Sequence, residues 1–162
     1  MNEQISSVER VRRALDEAHL QGRIEEFPAS TRTAQDAAIA IGTSVGQIVK
    51  SLVFLAADGP VLALMSGSNQ LDLTRLSALT GATIRKADAD AVRAATSYAI
   101  GGVPPIGFPT AIPTFIDRDL LQYATVWAAA GTPRHVFAIS APNLVRITGG
   151  TVAELKAGKP YG

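Results

Sequence analysis

Lys50 is the residue in this sequence with the clearest means of doing chemistry. It is the lone cation in Gln47 to Ala57 (QIVKSLVFLAA), a run otherwise of the kind that fills a sheet interior. Side chains alternate across a pleat, so Lys50 shares a strand face with Ile48, Leu52 and Phe54, while Val49, Ser51, Val53 and Leu55 take the other. An ammonium taken out of water is costly unless it is paired or set in the wall of a cleft. Two readings of Lys50 therefore stand side by side: a positioned cation in a site, or a strand-end lysine that extends its charge back to solvent.

The second chemical feature is the segment Gly101 to Pro113 (GGVPPIGFPTAIP), with three glycines and four prolines. Prolines delete the amides that a phosphate cradle needs, so a dinucleotide site is a poor fit. Proline does fix φ, and glycine allows close approach. The loop can therefore hold a few rigid N–H donors toward a carbonyl or a developing oxyanion, or it is a plain connector. A third feature, Gly42-Thr43-Ser44-Val45-Gly46, matches a nucleophile elbow, with Asp117 and His135 following in hydrolase order. That elbow needs a strand before the serine and a helix after it. The pattern here predicts the reverse, with a helix C-cap at Gly42, so a serine hydrolase using Ser44 stands only as a remote alternative. His135 reads as a structural or surface histidine, His19 as solvated and Trp127 as core.

The elements that must position these residues are legible from local signals. Ser6 with Glu9 forms a capping box ahead of a helix over 7–20, and Gly22 stops it. Residues 23–27 read as a short strand. Thr33 with Asp36 opens a second helix that Gly42 closes. The Lys50 strand follows, then a hairpin at Asp58-Gly59 and an antiparallel partner from Pro60 to Met65. Asp72 caps a helix ending at Gly81; a strand over 82–86 and a helix over 88–96 come next. Strands are expected near 112–117, 123–129 and 134–139, a helix near Pro142 and an extended piece near 151–155. Helices mixed with hairpins and isolated strands predict a mixed α+β or mixed-sheet α/β fold, not a doubly wound one. With 162 residues and neither repeat nor linker, residues 1–162 read as one domain.

Composition narrows the function classes. At 47% hydrophobic and 18% charged, the chain has the means to build a core. A net charge of +1 excludes a global positive field, so any nucleic-acid contact must be local. The absence of cysteine removes thiolate nucleophiles, disulfides and Cys-based zinc sites, and two histidines, His19 and His135, argue against a His-rich metal site. No cofactor is expected. The polar N-terminus (MNEQISSVERVRR) lacks a signal-peptide core, and no run approaches the ~20 apolar residues of a membrane span. The expected location is the cytoplasm.

Taken together, these segments resemble the YbaK family of aminoacyl-tRNA editing domains, free-standing relatives of the insertion domain in bacterial prolyl-tRNA synthetases. The matching pieces are GTSVGQIVKSLVF, SGSNQLDL, GGVPPIG as the family's G-x-x-x-P loop, IPTFIDRDLL and VWAAAG, in family order over roughly residues 30 to 155. The resemblance implies a mixed, barrel-like sheet surrounded by helices and hydrolysis of the ester bond in mischarged tRNA, with a ribose hydroxyl assisting. It makes Lys50 the essential lysine and places Gly101, Gly102 and Pro105 in a loop around the 3′-terminal adenosine and aminoacyl carbonyl. Lys50, Gly101 and Gly102 are thus the catalytic candidates, and Val103, Pro104, Pro105, Gly131 and His135 the substrate-binding ones, with no metal. Implied partners are the acceptor end of a mischarged tRNA and an aminoacyl-tRNA synthetase. Arg32, Arg85, Lys86 and Arg134 are candidate phosphate contacts, with solvated surface as the competing account. Cysteine-removing relatives tend to carry a serine before Gly131, where this chain has Ala128, Ala129 and Ala130; this weighs against cysteine as the residue removed. The rival from another class is a non-catalytic module that binds tRNA or a synthetase with the same fold.

Overall fold

A computed structural model describes residues 5–27 and 33–158. Arg32 lies outside them. Five helices and eight strands follow in the order α1 (Ser7–Glu17), β1 (Ile24–Glu26), α2 (Ala34–Ile41), β2 (Val49–Ala56), β3 (Gly59–Ser66), α3 (Leu73–Thr80), β4 (Arg85–Lys86), α4 (Ala89–Thr96), β5 (Thr114–Asp117), β6 (Thr125–Ala129), β7 (His135–Ser140), α5 (Ala141–Thr148) and β8 (Thr151–Ala153). Local chemistry explains the boundaries. Ser6, Thr33, Asp72, Asp88 and Ser140 each accept a backbone N–H as helix N-caps. Gly42, Gly81 and Gly149 end α2, α3 and α5 in the left-handed conformation.

The strands form two sheets, not a closed barrel. One is antiparallel, β1-β7-β6; the other is mixed, β4-β2-β3-β5-β8, with β3, β5 and β8 parallel. Among the described residues, a single isolated bridge, Ile48 to Trp127, connects them. The barrel-like expectation therefore holds only as two sheets meeting along a seam. The β2–β3 hairpin has the expected antiparallel pairing, but Ala57-Asp58 forms its turn and Gly59 already pairs with Ala56, one residue off the Asp58-Gly59 expectation.

Both faces of the five-stranded sheet are covered, which is why β3 reads as an unbroken apolar run. Val49, Val53, Leu62 and Leu64 point into the main core with Phe137, Ile116 and the α1 residues Val11 and Leu15. Phe54, Ala63 and Met65 pack on the other side with Leu76 of α3 and Leu155. The strand expected over 82–86 shortens to Arg85–Lys86, and short 3-10 segments at 45–47 and 118–122 were not anticipated. Among the described residues, no helix is long and apolar enough to cross a membrane.

Candidate active site

Lys50 lies in the second position of β2, opposite Met65, on the face it shares with Leu52 and Phe54. There it is half-buried, and its ammonium donates to the main-chain carbonyl of Asn69. The loop that delivers this carbonyl is itself fixed. Asn69 donates both side-chain N–H groups, to Asp117 Oδ2 and Asp119 Oδ2, each at 2.8 Å. Asp117 is 1% exposed and also accepts the amides of Ser66 at 3.1 Å and Asp119 at 3.0 Å. The Ser66 hydroxyl donates to the Gly46 carbonyl at 2.7 Å, tying the loop to the turn before β2.

A buried carboxylate thus orients an asparagine, whose carbonyl in turn holds the lysine. Burial pushes the Lys50 pKa below the ordinary 10.5, and the negative charge of Asp117 opposes that shift. The Asn69 side-chain amide holds Asp119 below the ordinary carboxylate value. Lys50 accordingly combines the two readings left open above: it starts at a strand end, yet it is held in place and not merely extended to water.

Lys50 stands between two adjoining cavities, of about 320 Å³ and 530 Å³. Lys50, Ser51, Leu52, Ile100, Gly101 and Val103 border both. The smaller is walled by Ala34, Ala37, Ala128 and Ala129, with Trp127 closing it at the seam. The larger runs past Gln70, Leu71 and Phe54 to Lys86. A groove of about 590 Å³ near the hairpin tip has Asp58 as its sole titratable lining side chain, so it offers no comparable chemistry.

The loop opposite Lys50 begins with a turn from Ala99 to Gly102, closed by the Gly102 amide donating to the Ala99 carbonyl at 2.9 Å. Gly101 takes φ +90° at the third position, where a type II turn needs glycine. Gly102 is therefore not a free donor: its amide closes the turn, and its carbonyl accepts the Gly131 amide at 3.0 Å. A Cβ on Gly102 would lie 2.7 Å from the Thr132 Cα, so the loop packs directly on the β6–β7 connection. The amides of Gly101 and Val103 carry no hydrogen bond to another described residue, and both residues line the cavities.

The structure thus brings together Lys50, Gly101 and Val103. Pro104 and Pro105 are buried behind the wall and, like Gly102 and Gly131, line neither cavity. His135 is also elsewhere: its Nδ1 shares a hydrogen bond with the Thr132 hydroxyl, and its Nε2 lies 3.8 Å from Glu26. Arg134 is occupied by the Phe27 carbonyl at 3.0 Å and by Glu26, whereas Lys86 and Arg85 are exposed and unpaired among the described residues. Ser44 caps the 3-10 turn through Gln47, Asp117 serves Asn69 and His135 serves Thr132, so the elbow sequence builds no triad. Asn69 and Asp119 are residues to which sequence reasoning gave no individual role, and Asp117 was read only as a triad candidate, not as the anchor of Asn69. Their signal was present in SGSN and in a carboxylate ending a predicted strand.

The fold is a small mixed α/β one in which a clamped lysine lines the same cavities as Gly101 and Val103. The sequence model described as the aminoacyl-tRNA editing domain matches residues 28–147, and the chain belongs to this family. It is 29% identical over 125 residues to a protein of Enterococcus faecalis (strain ATCC 700802 / V583), covering 76% of each chain; the name of that relative, EbsC, proposes a Cys-tRNA(Pro)/Cys-tRNA(Cys) deacylase. A solved structure described as a proposed trans-editing enzyme for prolyl-tRNA synthetase superposes with a TM-score of 0.91 at 48% identity, over 96% of this chain and 100% of that one. The proline–tRNA ligase of Streptococcus sanguinis (strain SK36) is 28% identical over 100 residues, which are 61% of this chain and 16% of the ligase.

Proposed function

We propose that this protein is a trans-acting deacylase that hydrolyses the ester of a mischarged tRNA carrying a small amino acid. The observation that carries the proposal is the clamped Lys50 ammonium in the wall of a divided cavity that Gly101 and Val103, whose amides are uncommitted among the described residues, also line. An aminoacyl ester is already activated, so catalysis needs position and charge more than a nucleophile. A lysine has three N–H donors. One holds Asn69, and the others are available to an ester or phosphate oxygen.

In this reading the smaller, alanine-walled lobe takes the aminoacyl group, and the larger lobe takes the terminal nucleoside, with Lys86 near its phosphate. Water adds to the carbonyl carbon, and the charge that gathers on the carbonyl oxygen is met by the Gly101 and Val103 amides and by Lys50. The C–O bond to the ribose then breaks, and the departing oxygen takes up the proton that the attacking water gives up, regenerating the hydroxyl. Ala128 and Ala129 leave no hydroxyl in that part of the wall to meet a polar substrate side chain.

The test is to incubate the protein with tRNAs charged separately with Ala, Cys, Ser, Thr and Pro and to follow loss of the ester. Hydrolysis of at least one small-residue ester is expected. Binding of charged tRNA with hydrolysis of none would replace this reading with that of a binding module.

A further inference from the structure

We propose that Arg10 of α1 is a positioning residue for the glycine turn at the site. α1 lies outside the family match at 28–147, so the family likeness assigns it nothing. Its guanidinium stands 4.5 Å from the centroid of the Tyr98 ring, and Nη2 donates to the Ser97 carbonyl at 2.8 Å and to the Ser7 hydroxyl at 3.2 Å. Ser97 ends α4 at φ +69°, a conformation that L-residues seldom take, so Arg10 grips the chain where it changes direction. The next residues are the Ala99–Gly102 turn.

Tyr98 closes the same loop from within. It is fully buried, its hydroxyl donates to the Gly107 carbonyl at 2.8 Å, and its ring meets Phe108 edge-on. α1 also holds the far side of the turn. A Cβ on Gly131 would lie 2.7 Å from the Ser7 carbonyl oxygen, and the Gly131 amide donates to Gly102. The free amides of Gly101 and Val103 are therefore bracketed by two contacts to one helix that never touches the cavity. A planar guanidinium can stack on the ring and bond Ser97 at once, which an ammonium cannot match. Backbone donors aimed at a developing charge lose their effect when displaced by a fraction of an ångström, so Arg10 acts on the reaction through the loop.

Two variants test this, Arg10→Met and Arg10→Lys, read by amide hydrogen exchange, thermal melting and, resting on the deacylase reading, steady-state deacylation. In Arg10→Met, exchange across residues 97–108 should quicken about tenfold while β2 and β3 stay protected, as expected of a local opening. The deacylation kcat should fall about tenfold with KM for charged tRNA within about twofold, the pattern of an interaction that matters only in the transition state. Arg10→Lys should fall between the wild type and Arg10→Met on both measures. Unchanged exchange at 97–108, or equal loss of protection in β2 and β3, overturns the proposal. So does an unchanged kcat with the loop opened. If the wild type hydrolyses no charged tRNA, the deacylase reading falls, while the exchange data still decide whether Arg10 holds the turn.

Discussion

Lys50 is held by a carbonyl whose position depends on two carboxylates, so the residue-scale consequences separate cleanly. In the proposed mechanism Lys50→Ala should slow deacylation by about 10² to 10³-fold, the loss typical of one preorganised electrostatic donor. Melting temperature should change little, because a desolvation cost leaves with the contact. Unfolding of the variant would make Lys50 structural. The pH dependence has a definite sign. Burial lowers the folded pKa of Lys50 below the ordinary 10.5, so the unfolded chain binds more protons between the two values and stability rises with pH through that window. The penalty is full below the folded value and gone above the unfolded one. The melting-temperature difference between Lys50→Met and the wild type should therefore shrink as pH climbs toward 10.5, and the rate, corrected for spontaneous ester loss, should fall before an ordinary lysine would titrate. Ser44→Ala, by contrast, removes only a turn cap and should leave the rate within a few-fold of wild type; labelling by a serine-reactive phosphonate together with lost activity would restore the elbow reading.

Among the elements, what could be read from sequence was what is local. Caps at Ser6, Thr33, Asp72 and Asp88, and left-handed glycines at 42 and 81, act within four residues, and each helix they bound is present. The parallel addition of β5 and β8 to the hairpin is set by contacts between distant segments and leaves no periodic trace. Lys50 was legible because a charge in an apolar strand is anomalous. Asn69 was not, because it serves through its backbone, which every residue shares, and its side chain looks like any loop asparagine. Nor did composition reveal that Gly102 is a packing residue and Gly101 the turn residue. That division makes a prediction: Gly102→Ala forces a methyl onto the Thr132 and Gly131 backbone and should cost about 1–3 kcal/mol in urea unfolding. Gly158→Ala, which meets nothing within 4 Å, is the neutral comparison.

For the whole molecule, a net charge of +1 makes affinity for tRNA depend on local cations and not on a global field. If Lys50, Arg85 and Lys86 each neutralise one, the logarithm of the binding constant should fall with the logarithm of salt at a slope of roughly −2 to −3. A markedly steeper slope would mean a basic surface elsewhere. The same inventory of residues, with no cysteine and two histidines, predicts that activity survives EDTA and dialysis while the tRNA stays folded. Recovery only with a stoichiometric transition metal would refute the mechanism.

The seam between the sheets has a mechanical meaning. Among the described residues one isolated bridge, at Ile48 and Trp127, joins the two ladders, so no row of backbone hydrogen bonds runs across the seam, and the alanine-walled cavity sits on that line. Its width is then set by side chains, Trp127 and Ile48 above all, and not by the backbone. Selectivity in such a chamber can be retuned by repacking one or two residues while both sheets keep their register, whereas a closed barrel of the same size would have to change its strand stagger.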